Sequence, residues 1–357
     1  MPDLVVAGAG MAGLCAAVHG RELGASVTVL EKGRRAGGSM LLSSGFVWRY
    51  RDFERFRSEC PGGDPELQRV VHERLDDALH WLESLGVPVL ARETGNPLTT
   101  GARFDPRRLT EVLVRRAGDV RLKQPLESLP SDAPLDAPLV LATGGFQGDR
   151  ELVRRHVTDQ AEHLRLRANP WSSGDGLRLG LAAGGGTGEG LDEFYGRSMP
   201  APPARVRERD FVRLQQLYAV HATVENERGE RFEPRTWSEI DVVQWIARQP
   251  RARAWYVVPD QALSERVRER TVGEMIDAAR RAGGPVERGR GATRVEVVPG
   301  ITSTLGGLRI DAAARVAEGV FACGGDAGGI STGGYSSGLA AALVMGRVAA
   351  ESAIMDS

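Results

Sequence analysis

The feature that most constrains the fold is a glycine-rich turn between a short apolar strand and a helix. LVVA at 4–7 predicts the strand, and GAGMAG at 8–13 opens the helix. Glycines here allow a sharp turn and a close approach of the backbone to a pyrophosphate, while the helix N-terminus supplies unpaired N–H groups. Glu31 follows the next strand, 18 residues after Gly13, where a carboxylate accepts hydrogen bonds from an adenosine ribose. The pattern predicts a parallel sheet that binds a dinucleotide.

Further glycine turns near both chain ends favour FAD over a nicotinamide dinucleotide. GGS at 37–39 and SSG at 43–45 follow Glu31 closely, and a longer flavin cofactor uses such a second turn for its pyrophosphate and ribityl chain. Near the other end, VFACGG precedes Asp326, a carboxylate able to bind ribityl hydroxyls. Gly338 then opens a helix of small residues, whose positive N-terminal end would stabilise negative charge on a reduced flavin. Both ends therefore predict one extended FAD.

Charge, cysteine content and hydropathy argue against several other classes of protein. The 46 basic side chains nearly balance the 47 acidic ones, which leaves no basic surplus for nucleic acid. Cys15, Cys60 and Cys323 are too far apart for a disulfide framework or a zinc site and fit a reduced compartment. Apolar runs fall short of the roughly 18 residues of a membrane span, and no signal peptide is recognisable. We expect a cytoplasmic protein without metal, nucleic-acid or membrane partners.

The chain is organised as two outer parts around a middle part of different composition. Asp64-Pro65 and Asp105-Pro106 carry helix-start signals in the first part. Proline and arginine become frequent after about residue 190, and a charged helix is predicted at 261–282 before the glycine-dense pattern returns. The simplest division is an FAD-binding domain at 1–190, a capping or substrate domain at 191–295, and the rest of the FAD-binding domain at 296–357.

Several segments, in this order, resemble one flavoprotein superfamily. They are MPDLVVAGAGMAGLCAAVHGRELGASVTVLEKGRRAGGS, LVLATGGF, SSGDGLRLGLAAGG, VENERGERF, PGITSTLGGLRID and VFACGGDAGG. The chain looks like the FAD-dependent fumarate reductase/succinate dehydrogenase superfamily, nearest its branch of 3-ketosteroid dehydrogenases and tricarballylate dehydrogenase-like proteins. The resemblance implies an α/β fold, with a Rossmann-like FAD-binding domain built from both chain ends and an inserted α+β capping domain.

The resemblance also implies which residues hold FAD. Matched position by position, they are Gly8, Gly10, Met11, Ala12, Gly13, Glu31, Lys32, Gly38, Ser39, Ser44, Gly45, Val120, Ala142, Thr143, Gly144, Asp175, Gly325, Asp326, Gly338 and Leu339. No histidine stands beside the Gly38 turn, where some relatives attach the flavin covalently. We therefore expect noncovalent FAD.

The expected active site departs from that of the fumarate reductases in its arginines. Those relatives carry an acid/base arginine about eight residues after an Arg-Phe pair, and another in the C-terminal glycine stretch. Here Glu239 lies near the first position, after the pair at 231–232, and GGYSS at 333–337 occupies the second. A dicarboxylate substrate needs arginine clamps, so fumarate or succinate chemistry is not expected.

The remaining catalytic candidates are Tyr335, Tyr195, Arg197 and Thr304. Tyr335 lies just before the flavin-facing helix, roughly where ketosteroid dehydrogenases carry a tyrosine that polarises the substrate carbonyl. Three of the four candidates also have a structural alternative. Tyr335 is alternatively a turn residue packed on the cap, and Tyr195 and Arg197 alternatively belong to a structural ion pair.

The resemblance implies an FAD-dependent oxidoreductase that dehydrogenates or reduces a carbon–carbon bond next to a carbonyl in a small organic substrate. Hydride would move to or from flavin N5, and a tyrosine or nearby acid/base group would move a proton. Since no second GxGxxG serves a nicotinamide, the electrons depend on oxygen, substrate or an external electron partner. Two alternatives stay open: a flavin oxidase or hydroxylase acting on an alcohol, amine or phenol, and a non-catalytic flavin electron-transfer protein.

Overall fold

The computed structural model describes residues 2–129, 136–234 and 239–356, and the chain divides into two compact units. The first unit comprises Met1–Asp149, Asn169–Glu193 and Ser303–Ser357, and the second comprises Arg150–Ala168 and Phe194–Thr302. The domain division at 190 and 295 stays a prediction, and these units differ from it mainly in the segment 150–168.

The secondary structure alternates strands and helices in the first unit and is richer in strands in the second. Within the described residues the helices are α1 Met11–Glu22, α2 Phe53–Glu59, α3 Pro65–Ser84, α4 Pro106–Ala117, α5 Arg150–His156, α6 Asp175–Ala182, α7 Ile240–Ala247, α8 Val272–Arg281 and α9 Gly338–Met355. The strands are β1 Leu4–Ala7, β2 Val27–Glu31, β3 Phe46–Tyr50, β4 Val89–Ala91, β5 Thr99–Phe104, β6 Asp119–Leu122, β7 Leu139–Leu141, β8 Arg165–Leu166, β9 Phe194–Pro200, β10 Thr223–Glu225, β11 Ala254–Pro259, β12 Arg266–Val267, β13 Arg270–Thr271, β14 Val286–Arg288, β15 Ala292–Thr304, β16 Arg315–Ala317 and β17 Val320–Ala322.

The first unit is built on a six-stranded sheet in the order β16-β17-β7-β1-β2-β6. All neighbours are parallel except the edge pair β16 and β17. Val140 of β7 lies opposite Val6 from one end of the chain and opposite Phe321 from the other. The α/β fold with an FAD-type sheet assembled from both chain ends is therefore confirmed.

Small residues let the first and last helices pack closely beside this sheet. A Cβ added to Gly346 of α9 would lie 2.4 Å from the backbone oxygen of Ala12 in α1, so the two backbones touch there. By length and a mean hydropathy of 1.4, α9 could cross a membrane, although Arg347 and Glu351 interrupt its apolar sequence. Of this 18-residue helix, 67% is buried inside the protein, as in the core helix of a globular unit.

The second unit is organised around β15, whose neighbours are β8, β9, β11 and β14. The helix predicted at 261–282 is wrong in its first half, where the chain forms the β12–β13 hairpin. The helix α8 starts only after Thr271, whose hydroxyl accepts the N–H of Glu274 at 3.2 Å while the Glu274 carboxylate accepts the N–H of Thr271 at 2.7 Å. This capping box fixes the start that the charge pattern alone did not reveal.

Candidate functional site

The predicted dinucleotide turn lies at the carboxyl ends of β1, β2 and β7. Gly8 has a φ of +108°, and a Cβ there would lie 2.2 Å from the carbonyl oxygen of Ala142. A Cβ on Gly13 would lie 1.9 Å from the carbonyl oxygen of Gly8. Both positions therefore require glycine, because a side chain on Gly8 would push apart the ends of β1 and β7 and one on Gly13 would push α1 away from the end of β1.

The carboxylate of Glu31 closes this turn from the end of β2. It is buried and accepts the N–H of Ala9 at 2.8 Å and the N–H of Gly33 at 2.6 Å. A carboxylate has about four acceptor sites, so it retains capacity for the hydroxyls of a ribose. This geometry fits the role that the sequence predicts for Glu31.

The starts of α1 and α9 provide the open side of the site. A Cβ added to Gly10 or Gly338 would meet no other described heavy atom within 4 Å, so a ligand can approach both backbones. Gly346, which touches α1, is eight residues along α9 from Gly338, about 12 Å at 1.5 Å per residue. Two positive helix ends thus stand at a separation that an extended dinucleotide spans, and the residues present fit FAD.

Asp326 links the C-terminal glycine turn to the end of β7. Its side chain is only 1% exposed and accepts the backbone N–H of Thr143 and Gly144 on one oxygen and of Gly145 on the other. The Thr143 hydroxyl adds a bond of 3.0 Å. Burial raises the pKa of Asp326 to about 6, although the N–H donors act to lower it.

Other predicted FAD residues pair with one another inside the first unit. Lys32 Nζ lies 2.8 Å from an oxygen of Asp175, the first residue of α6. The hydroxyl of Ser39 accepts a bond of 3.1 Å from the Asn169 amide. Their contacts to FAD stay predictions.

The last predicted FAD residues occupy three further places. Ser44 and Gly45 precede β3, and Gly45 has a φ of +75° with its Cα against the carbonyl oxygen of Phe104. Val120 lies in β6 opposite Val29. Met11 and Ala12 are buried in the first turn of α1, Gly325 packs its Cα against the Gly144 backbone, and Leu339 lies in the first turn of α9.

Tyr335, the first catalytic candidate, lies in the loop before α9 and is partly buried. Its ring meets the Trp48 ring at a centroid distance of 5.5 Å, and its carbonyl oxygen accepts the Tyr50 hydroxyl at 2.7 Å. The loop ends at Ser337, whose hydroxyl accepts the N–H of Ala340 and caps α9. The local structure therefore holds Tyr335 at the N-terminal end of that helix.

Tyr195 and Arg197 lie together on β9 in the second unit. Arg197 is 4% exposed, its Nε donates to the Tyr195 hydroxyl at 3.3 Å, and its guanidinium lies 5.2 Å from the centre of the Tyr195 ring. Burial raises the pKa of Glu239 to about 7, while the charge of Arg197 lowers it. Glu239 also accepts the N–H of Ala219 at 2.7 Å. The unit therefore buries a charged group beside a tyrosine hydroxyl.

Thr304, the fourth candidate, lies in the first unit beside Gly145, as does Gln147, a residue that the sequence did not suggest. A Cβ on Gly145 would lie 2.5 Å from the Thr304 hydroxyl and 2.9 Å from Oε1 of Gln147. Gln147 directly follows the ATGGF turn, and this position is the signal that could have identified it. Among the described residues, no group of three or more His, Cys, Asp or Glu side chains could hold a metal ion.

Comparisons with known proteins agree with this geometry. The FAD binding domain family matches residues 3–130 and 131–339. The chain is 22% identical over 98% of its length to the probable fumarate reductase Ifc3 of Shewanella frigidimarina, of which it covers 74%. It is 24% identical over 64% of its length to the vinyl phenol reductase of Lactiplantibacillus plantarum, of which it spans about half (56%).

Solved structures show the same fold. The chain matches the open conformation of a flavocytochrome c3 fumarate reductase with a TM-score of 0.74 and 21% identity, covering 99% of this chain and 78% of that one. It matches the 3-ketosteroid Δ1-dehydrogenase of Sterolibacterium denitrificans with a TM-score of 0.73 and 14% identity, covering both chains fully (100%). The predicted superfamily, fold class and cofactor are confirmed. The chain belongs to the FAD binding domain family and is an FAD-dependent oxidoreductase.

Proposed function

We propose that the protein adds or removes two hydrogens across a carbon–carbon bond next to a carbonyl in a small organic substrate. The observation that carries this proposal is the kind of reaction its relatives share. A fumarate reductase, a vinyl phenol reductase and a 3-ketosteroid dehydrogenase each form or saturate a carbon–carbon double bond. FAD, when bound, supplies the hydride acceptor or donor for such a reaction.

The chain's own part in this reaction begins with holding the cofactor. Glu31 would hold the ribose, the start of α1 would hold the pyrophosphate, and Asp326 would hold the ribityl hydroxyls. The positive end of α9 would stabilise negative charge on a reduced flavin bound beside it. The second unit would serve as the capping domain that excludes water during the reaction.

The substrate proposed is a neutral ketone or enone rather than a dicarboxylate. A dicarboxylate needs charge-paired arginines, yet the two positions that carry them in fumarate reductases hold Glu239 and the 333–337 turn. A carboxylate of the substrate placed beside the Glu239 carboxylate would also be repelled by it. This difference supports a substrate whose recognition depends on a carbonyl oxygen.

The proton at the substrate α-carbon is proposed to move through a tyrosine. Tyr335 is held at the start of α9, and Tyr195 receives a hydrogen bond from the buried Arg197. In this proposal Arg197 orients the Tyr195 hydroxyl. Tyr335→Phe and Tyr195→Phe keep the ring packing and remove only the hydroxyl. If one of these tyrosines transfers the proton, its phenylalanine variant should reduce flavin at least about 100-fold more slowly than the natural protein.

The deciding experiment is anaerobic mixing of the FAD-loaded protein with a panel of substrates, followed by flavin absorption and product analysis. Saturated 3-ketosteroids and cyclic ketones test dehydrogenation, and enones mixed with the chemically reduced protein test the reverse direction. Succinate and fumarate are the matched controls. Flavin bleaching with appearance of an alkene supports the proposal.

Two outcomes would contradict the proposal. In a parallel assay in air, peroxide formation from an alcohol, amine or phenol without an alkene product would show an oxidase or hydroxylase. A flavin that no ketone or enone reduces or reoxidises would point to a non-catalytic electron carrier. Electron exchange with oxygen or a separate acceptor is part of the proposal, as is the cytoplasmic location suggested by three buried free thiols.

A further inference from the structure

Asn169 connects two turns of the first unit through one buried side-chain amide. The residue is 6% exposed, and its Nδ2 donates to the hydroxyl of Ser39 at 3.1 Å and to the hydroxyl of Ser172 at 3.0 Å. Ser172 in turn donates to the carbonyl oxygen of Thr143 at 3.3 Å. The sequence did not suggest Asn169, yet this residue joins the turn at Ser39 to the turn at Thr143.

The direction of these hydrogen bonds follows from the backbone of Trp171. Its N–H, which can only donate, lies 2.9 Å from Oδ1 of Asn169. This contact identifies the amide oxygen, so the other end of the amide is the NH2 group, which donates to both serines. The two protons of that group are then used, and Asn169 keeps no side-chain donor for a ligand.

The hydroxyl of Ser39 is thereby left with a proton to donate. Its oxygen accepts from Nδ2 of Asn169 and, at 3.4 Å, from the backbone N–H of Asn169, which occupies both lone pairs. Ser39 is only partly buried, and its hydroxyl donates to no other residue in the described part of the chain. Such a hydroxyl is complementary to a group that only accepts hydrogen bonds, as a phosphate does.

This hydroxyl belongs to a turn that packs against the start of α1. A Cβ added to Gly38, the residue before Ser39, would lie 3.2 Å from Cα of Gly10 and 3.9 Å from Nδ2 of Asn169. Gly10 has open space in its own Cβ direction, and the first turn of α1 supplies the N–H groups proposed to hold the pyrophosphate. The pair of Asn169 and Ser39 therefore borders the place where that anion would bind.

We infer that Asn169 is a positioning residue for the FAD pyrophosphate and acts through Ser39. Its NH2 group occupies a lone pair of the Ser39 hydroxyl and so leaves the hydroxyl proton for a phosphate oxygen. Asn169 needs no contact with the cofactor, no covalent bond forms and no electrons move. The inference rests on FAD binding and is independent of the substrate proposed above.

The test is a double-mutant cycle of Asn169→Leu and Ser39→Ala, read by the dissociation constant of FAD. FAD is titrated by fluorescence into the FAD-free forms of the natural protein, each single variant and the double variant. We expect each single variant to bind FAD about 10-fold more weakly, since one hydrogen bond to a charged group is lost. In the Ser39→Ala background, Asn169→Leu should weaken binding by less than about 2-fold further, because the hydroxyl that it orients is absent.

Phosphorus NMR of bound FAD gives a second readout, which a purely structural role of Asn169 would not reproduce. The two phosphorus resonances respond to the hydrogen bonds that the pyrophosphate accepts. Asn169→Leu and Ser39→Ala should shift the same resonance in the same direction, and the spectrum of the double variant should match that of Ser39→Ala.

Asn96→Leu is the matched control. Asn96 lies in the first unit, also precedes a proline, and its amide oxygen accepts the N–H of Leu98, two residues later, at 3.0 Å. The substitution thus removes the same local turn contact as Asn169→Leu but no hydrogen bond to Ser39. It should leave the dissociation constant of FAD and both phosphorus resonances unchanged.

Two results would overturn the inference. An equal weakening by Asn169→Leu in the natural protein and in Ser39→Ala would mean that Asn169 only holds Ser172 and the surrounding fold. Unchanged FAD binding in Ser39→Ala would mean that the pyrophosphate does not use this hydroxyl. None of these measurements uses a substrate, so failure of the inference is distinguishable from failure of the proposed reaction.

If Asn169→Leu does not fold, the same cycle with Asn169→Asp decides. This variant keeps the acceptor for the Trp171 N–H, and its carboxylate takes the Ser39 proton instead of donating to the hydroxyl. Repulsion between the new carboxylate and the pyrophosphate is present in both backgrounds and cancels from the comparison. Its effect on FAD binding should therefore be smaller in Ser39→Ala than in the natural protein, and an equal effect would overturn the inference.

Discussion

Asp326 is a residue whose charge state couples cofactor binding to pH. Its pKa is raised to about 6 by burial. The carboxylate already accepts four hydrogen bonds, of which those from Gly144 and Gly145 are long at 3.3 Å. A ribityl hydroxyl that replaced one of these long bonds with a shorter one would stabilise the charged form and lower the pKa in the complex. Binding therefore releases a proton below about pH 6, and the affinity for FAD should rise as the pH increases from 5 to 7 and then level off. Titration of the FAD-free protein at several pH values measures this.

Asp326→Asn supplies the control for that pH dependence. The variant keeps the shape of the side chain but has no titrating group, and its NH2 cannot accept both backbone N–H bonds that reach one oxygen of Asp326. We expect weaker FAD binding with little variation between pH 5 and 7. A natural protein whose affinity is flat over this range would show that the carboxylate does not contact FAD.

At the scale of elements, the start of α1 contains two glycines, and glycine is required at each for a different physical reason. Gly13 lies against the backbone of Gly8, so Gly13→Ala forces a backbone shift and should destabilise the FAD-free protein by about 1–3 kcal/mol. Gly10 has open space in the Cβ direction and a φ of −82°. Gly10→Ala should therefore fold normally yet bind FAD at least about 10-fold more weakly, because the methyl group takes the place of the pyrophosphate.

Two measurements separate these effects. Thermal unfolding of the FAD-free variants reports the fold, and fluorescence titration reports the cofactor. If Gly10→Ala bound FAD as tightly as the natural protein, the pyrophosphate would lie elsewhere. If Gly13→Ala unfolded at the natural temperature, the close approach to Gly8 would not limit this position.

Local signals predicted those elements whose start or end depends on a neighbouring residue. Asp64 accepts the N–H of Glu66 at 2.8 Å and Asp105 accepts that of Arg107 at 2.9 Å, so both predicted aspartate-proline helix starts are present as α3 and α4. The helix prediction for 261–282 was wrong in its first half because a run of charged residues does not distinguish a hairpin from an exposed helix. There the capping box of Thr271 was the better signal.

The site was predictable only where a motif is contiguous. Glycine spacing located the turn at 8–13 and the carboxylate of Glu31, because both act within one strand-helix-strand unit. The Ser39 and Asn169 pair is formed by residues 130 positions apart. Likewise, burial raises the pKa of Glu239 while the charge of Arg197 opposes that rise, and the sequence does not place Arg197 beside it. Such environments come from tertiary packing, which no local pattern encodes.

At the scale of the whole molecule, ion pairs as well as the sheet of the first unit connect the two ends of the chain. Glu351 of α9 lies 2.9 Å from the His19 ring of α1 and 2.6 Å from the Arg74 guanidinium of α3. Burial acts to raise the pKa of Glu351, but hydrogen bonds from His19 and Arg74 outweigh it and lower the pKa to about 2. The folded state therefore prefers the carboxylate more strongly than the unfolded chain does.

This preference sets the sign of a pH effect on stability. A carboxyl whose folded pKa lies below its unfolded value of about 4.3 stabilises the fold above that pH and loses its contribution as the pH falls toward 2. Glu351→Gln should lower the free energy of unfolding by about 1–3 kcal/mol at pH 6 and by about half as much near pH 3. Urea unfolding at both pH values measures the difference.

Glu73→Gln is the matched control for this prediction, since Glu73 is an exposed residue of α3 paired with Arg69 at 3.6 Å. Exposed pairs contribute little, so its effect should stay within about 0.5 kcal/mol at either pH. An equal loss for Glu351→Gln at pH 6 and pH 3 would mean that shape rather than charge holds the three helices together. A loss at pH 3 of about half the loss at pH 6 would show that ion pairing joins the last helix of the chain to the first.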